Sequence, residues 1–226
     1  MSVKVFVFDL DDTLYNELDF VKSGFRAVSE FLSRTFKIDE EAVYEKMVQI
    51  LFEEGRGAVF NSVLHYYNCF TIKCLKKCIS VYRMHKPNIK LLPESTEVLQ
   101  KLKGKPVYIV TDGNKNVQYN KISALGLDDI VTKFYITYRY GRVHSKPSPY
   151  CFEKIAQIEQ VQFSEMVYIG DNPNKDFVGI KPLGVRTIQI RKGMFQNIIL
   201  PEEYQAEEKI DNLLQIFEVI NRWEEK

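Results

Sequence analysis

The chain has 226 residues, 45% of them hydrophobic, with 31 basic against 30 acidic residues and a formal charge of +1. That length fits one domain with a modest insertion, and the near-neutral balance excludes broad electrostatic capture of nucleic acid. No apolar run approaches a membrane span, and the start Met-Ser-Val-Lys-Val, with acids by residue 9, carries no secretory signal, so a cytoplasmic protein is expected.

Residues 3–8 read as a first strand. Val5-Phe6-Val7-Phe8 is a continuous run of β-branched and aromatic residues, the pattern of a strand buried on both faces. Asp9, Asp11 and Asp12 follow abruptly. In open parallel sheets that end of a strand is where ligands bind. Three carboxylates packed together repel unless a cation or a set of positive groups balances them. Alone, the acids also suit a turn or a helix start.

From about Tyr15 to Pro87 the pattern turns helical. Phe20, Gly24, Phe25, Val28, Phe31 and Leu32 recur at spacings of three and four. Asp39 is placed to cap a second helix through Val43, Met47 and Ile50. Gly55-Arg56-Gly57 breaks that run, and further helices are expected from Val59 to Tyr67 and through Ile72, Leu75, Ile79 and Tyr82. Cys69, Cys74 and Cys78 cluster here, with His65 before them. Their spacing matches no standard zinc pattern, so they and Cys151 read as reduced, small apolar residues.

The alternating pattern resumes at Lys90. Pro93 suits the first turn of a helix ending near Gly104. A strand at 107–110 leads into Thr111-Asp112-Gly113, and a helix through Val117, Ile122 and Leu125 closes at Gly126. A short strand covers 134–136. Pro147 and Pro149 open the helix holding Phe152 and Ile155. Residues 167–169 form a strand before Gly170-Asp171, and Pro173 opens a turn carrying Asp176. Val185 to Ile190 reads as the last clear strand. Ile210, Leu213, Leu214, Phe217 and Ile220 predict one helix over about 208–223. Strands alternating with helices imply right-handed crossovers and a mostly parallel sheet. Its carboxyl rim would gather Asp9, Thr111, Lys146 and Asp171.

Four motifs in order resemble the haloacid dehalogenase superfamily: Asp9/Asp11/Thr13, Thr111, Lys146-Pro147, and Gly170-Asp171/Asp176. The resemblance implies an α/β, Rossmann-like core at 1–14 and 88–226, and an α-helical cap at 15–87. It implies that Asp9 is a nucleophile forming an aspartyl-phosphate and that Asp11 is the acid and base. Thr111, the backbone N–H groups near Asp112 and Gly113, and Lys146 would hold the phosphoryl group. Mg2+ would lie on Asp9, the Asp11 backbone carbonyl, Asp171 and Asp176. The family often carries Asn or Gly at the position of Asp12 and Asn at that of Asp112, and both acids here read as local hydrogen-bonding residues.

The expected function is Mg2+-dependent hydrolysis of a small phosphorylated metabolite, with no nucleic-acid or membrane partner. A sugar phosphate, a nucleoside monophosphate and a sugar-acid phosphate all remain open as substrates. So do a phosphosugar mutase and a non-catalytic phosphate-binding or signalling protein. Asp11 argues against a dehalogenase, which lacks the second acid. Since the core grips only the phosphoryl group, discrimination falls to the insert, where Arg56 offers a fork of donors for a carboxylate, a second phosphate or sugar hydroxyls.

Overall fold

A computed structural model describes residues 2–225. The chain divides into two compact units: Leu18–Ile89, and the segments before and after it.

The second of these carries a six-stranded sheet. Its strands are β1 (Val5–Phe8), β2 (Val107–Thr111), β3 (Lys133–Ile136), β4 (Met166–Gly170), β5 (Arg186–Ile190) and β6 (Glu208–Ile210). The order is β3-β2-β1-β4-β5-β6, and every pairing is parallel. β1 lies fully buried between β2 and β4, which explains its unbroken apolar run. The chain leaves β1 toward β2 and β3, then crosses back to β4. That reversal makes the carboxyl ends of β1, β2 and β4 the switch point of the sheet. Four crossover and flanking helices belong to this unit: α5 (Pro93–Lys101), α6 (Lys115–Ala124), α7 (Tyr150–Glu159) and α8 (Ile216–Glu224). Val7, Tyr108, Tyr168, Phe152 and Ile155 pack in one apolar cluster of this unit.

The other unit is helical. It holds α1 (Glu17–Phe36), which begins one residue ahead of it, then α2 (Glu40–Glu54), α3 (Val59–Tyr66) and α4 (Ile72–Met84). Phe25, Val28 and Leu32 of α1 pack with Val43, Met47 and Ile50 of α2, Val63 of α3, and Cys74 and Cys78 of α4. The Asp39 side chain accepts from Ala42 N and starts α2. All four cysteines are free thiols, three of them buried, as their apolar reading requires. Among the described residues no helix is long and apolar enough to cross a membrane.

One expectation fails at the end of the chain. Residues 208–223 do not form a single helix, and a short strand follows β5. Glu208–Ile210 pairs with β5, setting Ile188 opposite Glu208 and Ile190 opposite Ile210. Asn212 then opens a new turn, its side chain accepting from Leu214 N, and α8 follows. A strand of three residues is too short to show a period of two. Ile210 enters the core from the sheet edge, which mimics helical spacing with Leu213 and Leu214.

Candidate active site

The parallel register brings the motif residues to one rim. Phe8 is level with Ile109 and Ile169. Asp9 therefore leaves β1 beside Gly170, and its N–H donates to Ile169 O at 2.8 Å. Thr111 ends β2, and Asp171 directly follows β4. Lys146 arrives from the loop after β3. Its seat depends on Gly179, where a Cβ would collide with the Pro147 carbonyl. Gly170 has a matching part. A Cβ there would collide with the Asp176 carboxylate, which folds back over the end of β4 and accepts from Asn172 N at 2.9 Å.

Lys146 lies at the centre of the buried set. Its Nζ is 2.7 Å from Asp9 Oδ1, 2.7 Å from Asp176 Oδ1 and 2.8 Å from the Tyr168 hydroxyl. The Tyr168 hydroxyl in turn donates to Asp176 at 3.1 Å. Burial works against the ammonium, but Asp176 and Asp9 outweigh it and hold the Lys146 pKa well above its ordinary value. Asp9, Asp11, Thr111, Asp112, Asp171 and Lys175 are among the walls of a polar cavity of about 180 Å³ at this rim.

Asp11 faces a different set of partners. Its carboxylate accepts from Tyr15, from Gln118 Nε2 at 2.9 Å and from Lys121 Nζ at 2.6 Å. Desolvation would raise its pKa. The charge of Lys121 and the hydrogen bonds from Lys121, Tyr15 and Gln118 together outweigh that and hold it below the ordinary carboxylate value. Gln118 Nε2 also donates to Thr111 Oγ1 at 2.7 Å. Asp12 accepts from Glu17 N at the start of α1. Asp112 accepts from Thr137 Oγ1 and from Lys146 N, with Lys175 Nζ at 3.6 Å. Gly113 lies between Asp112 and Asn114, whose side chain caps α6. Arg56 belongs to the helical unit, exposed on the α2–α3 connection, and donates to the Tyr82 hydroxyl at 2.9 Å.

Sequence reasoning passed over Tyr15, Gln118, Lys121, Tyr168 and Lys175. A signal existed for two of them. Gln118, Lys121 and Ile122 of α6, with Leu125 just after it, share one face at helical spacing, so two polar residues stand on the buried face. Buried lysine is rare unless paired, and its partner was already in view at Asp11.

The sequence profile of the haloacid dehalogenase-like hydrolases matches residues 3–184. The chain belongs to this family. It is 27% identical to the glyceraldehyde 3-phosphate phosphatase of Pyrococcus furiosus, over 97% of this chain and 94% of the relative. It is also 27% identical to the phosphatase of the same name from Methanocaldococcus jannaschii, over 96% and 97%. Family and relatives together make it an enzyme, a phosphoric monoester hydrolase. Its fold matches that of the putative hydrolase YfnB from Bacillus subtilis, with a TM-score of 0.68 at 18% identity over 98% of this chain and 100% of the other.

The buried acids of this hydrolase suit a hard cation. Carboxylate oxygens of Asp9, Asp171 and Asp176 all lie within 4.8 Å of one another. Asp176 has Lys146 as a counter-charge, but no lysine or arginine pairs directly with Asp171 among the described residues. Burial, with Asp9 and then Asp176 adding repulsion, pushes the Asp171 pKa up to about 9. Burial likewise raises Asp9 to about 6, although Lys146 opposes it. An oxygen-only donor set short of positive charge fits Mg2+.

These shifts have a measurable sign. Both acids start from an ordinary value of 3.8. Between pH 4 and 9 the unfolded chain therefore holds fewer protons at these positions than the folded one. Stability falls as pH rises through that window. The depressed pKa of Asp11 adds no slope above pH 5, where that acid is ionised in both states. The Tm of protein in excess chelator should fall from pH 5 to pH 9, and saturating Mg2+ should flatten the decline. A Tm that rises across this window in chelator would contradict the assignment.

Proposed function

We propose that the chain is a Mg2+-dependent phosphomonoester hydrolase that works through an aspartyl-phosphate on Asp9 and acts on a small phosphosugar of the glyceraldehyde 3-phosphate type. The observation carrying this reading is the contact of Lys146 with Asp9 beside two further acids at the sheet's switch point. A carboxylate repels a phosphate dianion, and Lys146 lowers that repulsion as a point charge on the nucleophile. Mg2+ held by Asp9, the Asp11 carbonyl, Asp171 and Asp176 would supply further charge to the phosphoryl oxygens. Thr111 and the N–H groups near Asp112 and Gly113 hold the transferring group.

In the first half, an Asp9 oxygen bonds to phosphorus. The negative charge of the bound phosphate dianion opposes the donors that keep the free Asp11 ionised, so Asp11 takes up a proton from solvent as substrate binds. The ester P–O bond breaks with its electron pair on the departing oxygen, which takes that proton from Asp11. In the second half, water bonds to the same phosphorus and gives a proton to Asp11. The P–O bond to Asp9 breaks, its electron pair returns to the carboxylate, and inorganic phosphate leaves.

The substrate class rests on the relatives, two glyceraldehyde 3-phosphate phosphatases matched over nearly the whole of both chains. The cavity of about 180 Å³ is lined by residues of the sheet unit alone and is assigned to the phosphoryl end. We assign the helical unit, Leu18–Ile89, to the cap and Arg56 to contact with the remainder of the substrate. A charge-assisted hydrogen bond there is worth roughly 1.5–3 kcal/mol, or about ten- to a hundredfold in kcat/KM. Phosphate release should be measured from glyceraldehyde 3-phosphate, AMP and an aryl phosphate, with the wild type and Arg56→Ala. The triose phosphate should be the best substrate, and the variant should lose activity on it while keeping the aryl phosphate. Equal or better hydrolysis of AMP would overturn the substrate class. Equal effects of the substitution on the triose and aryl phosphates would remove Arg56 from substrate recognition.

A further inference from the structure

The reaction as proposed has no use for Lys121, although the fold spends a buried ammonium on it. Lys121 is 2% exposed and Gln118 equally so. They stand three residues apart on α6, so both reach the same neighbour. That neighbour is Asp11. Lys121 Nζ lies 2.6 Å from Oδ1, and Glu17 Oε1 lies 3.8 Å from the same ammonium. Gln118 donates to Oδ2 at 2.9 Å, and the Tyr15 hydroxyl donates to Oδ1. One carboxylate thus takes donors from three side chains on two segments of chain.

Hydrogen bonds to both oxygens remove the freedom of a carboxylate to rotate. Gln118 adds a second constraint, because the same Nε2 also reaches Thr111 Oγ1 at 2.7 Å. Thr111 is assigned to the phosphoryl oxygens. The proton-transfer carboxylate and the phosphoryl grip are therefore tied to one side-chain amide. An ion pair whose ammonium is buried this deeply is weak evidence for stability, since apolar residues of equal volume often serve as well. A role in geometry accounts for it better.

We propose that Lys121 is a positioning residue, which with Tyr15 and Gln118 fixes the Asp11 carboxylate for proton transfer. The inference rests on Asp11 as the acid and base of an aspartyl-phosphate pathway. It affects the two halves of the reaction unequally. An aryl oxygen is a good leaving group and departs with little help from an acid. The water of the second half must give its proton to Asp11 whatever the substrate was. With an aryl phosphate, a misplaced Asp11 spares formation of the phosphoenzyme and slows its hydrolysis. Misplacing a catalytic group by 1 Å costs on the order of a hundredfold.

The experiment is turnover of an aryl phosphate in Mg2+ buffer, quenched in acid at steady state. The fraction of phosphorylated enzyme is read by intact mass. Lys121→Met keeps the volume of the side chain and removes the charge. It should lower kcat by about ten- to a hundredfold and raise the phosphorylated fraction above the wild-type value. Lys121→Arg, which retains a cation, should recover most of kcat. Tyr15→Phe removes one donor from the same carboxylate and should shift the fraction in the same direction, more weakly, which keeps the test intact if Lys121→Met fails to fold. A merely structural role would reduce the amount of active enzyme without moving the phosphorylated fraction. A fall in kcat with an unchanged fraction, or an unchanged kcat, overturns the proposal. If Asp9→Asn turns over like the wild type, the covalent pathway fails first and this inference with it. If Asp9 proves essential and the fraction does not move, the failure belongs to Lys121 alone.

Discussion

Asp9→Asn should abolish phosphatase activity while leaving the protein folded. The amide has the size of the carboxylate and keeps an oxygen for Lys146, which now lies 2.7 Å away. What it loses is the negative charge and the nucleophilic oxygen. Losing a covalent nucleophile costs at least about a thousandfold in kcat. The fold should not suffer. Burial raises the Asp9 pKa to about 6 against its ordinary 3.8, and the acid faces Asp171 and Asp176. Neutralising it relieves that repulsion, so the Tm in chelator at pH 8 should be equal to or above that of the wild type. Phosphate release and a thermal melt on the same preparation check both parts. Ordinary turnover in the variant would contradict the mechanism, and an unfolded variant would contradict the electrostatic account.

Removing the metal should have an effect of similar size. Asp9, Asp171 and Asp176 form a buried group of oxygen donors whose only direct cationic contact among the described residues is Lys146. One ammonium cannot balance three acids and an incoming phosphate dianion. Metal stabilisation of transition-state charge is worth several kcal/mol, so EDTA should lower turnover by about a hundredfold or more, and excess Mg2+ should restore it. Asp171→Ala should move the Mg2+ activation curve to concentrations about tenfold higher or beyond, on the loss of one carboxylate ligand. Full activity in excess chelator would contradict the metal assignment.

The sheet and the motif residues were legible for one reason. Strands buried on both faces must be continuously apolar, so an abrupt polar residue at the carboxyl end stands out. Asp9, Thr111 and Asp171 each follow such a run, and the parallel register then brings them to one rim, offset by a single residue. Lys146 was legible only through its place in the family pattern, since nothing local distinguishes it from a solvated lysine. Its seat requires the missing Cβ of Gly179, 33 positions further along the chain. Lys121 was passed over because it interrupts the apolar face of α6, and one lysine among Val117, Ile122 and Leu125 reads as noise until Asp11 is seen opposite. β6 was lost because three residues carry no period, and its pairing with β5 is a property of the folded sheet. The Arg56–Tyr82 bond joins α4 to a loop 26 residues away and has no local trace either.

The covalent intermediate is the central claim, and its location can be measured directly. Enzyme turning over an aryl phosphate in Mg2+ is quenched in acid, digested, and read by mass for a phosphoryl group. That group is expected on the peptide containing Asp9, in the wild type and in larger amount in Lys121→Met, and should be absent from Asp9→Asn. A phosphoryl group on any other side chain, or turnover that survives in Asp9→Asn, would contradict that claim.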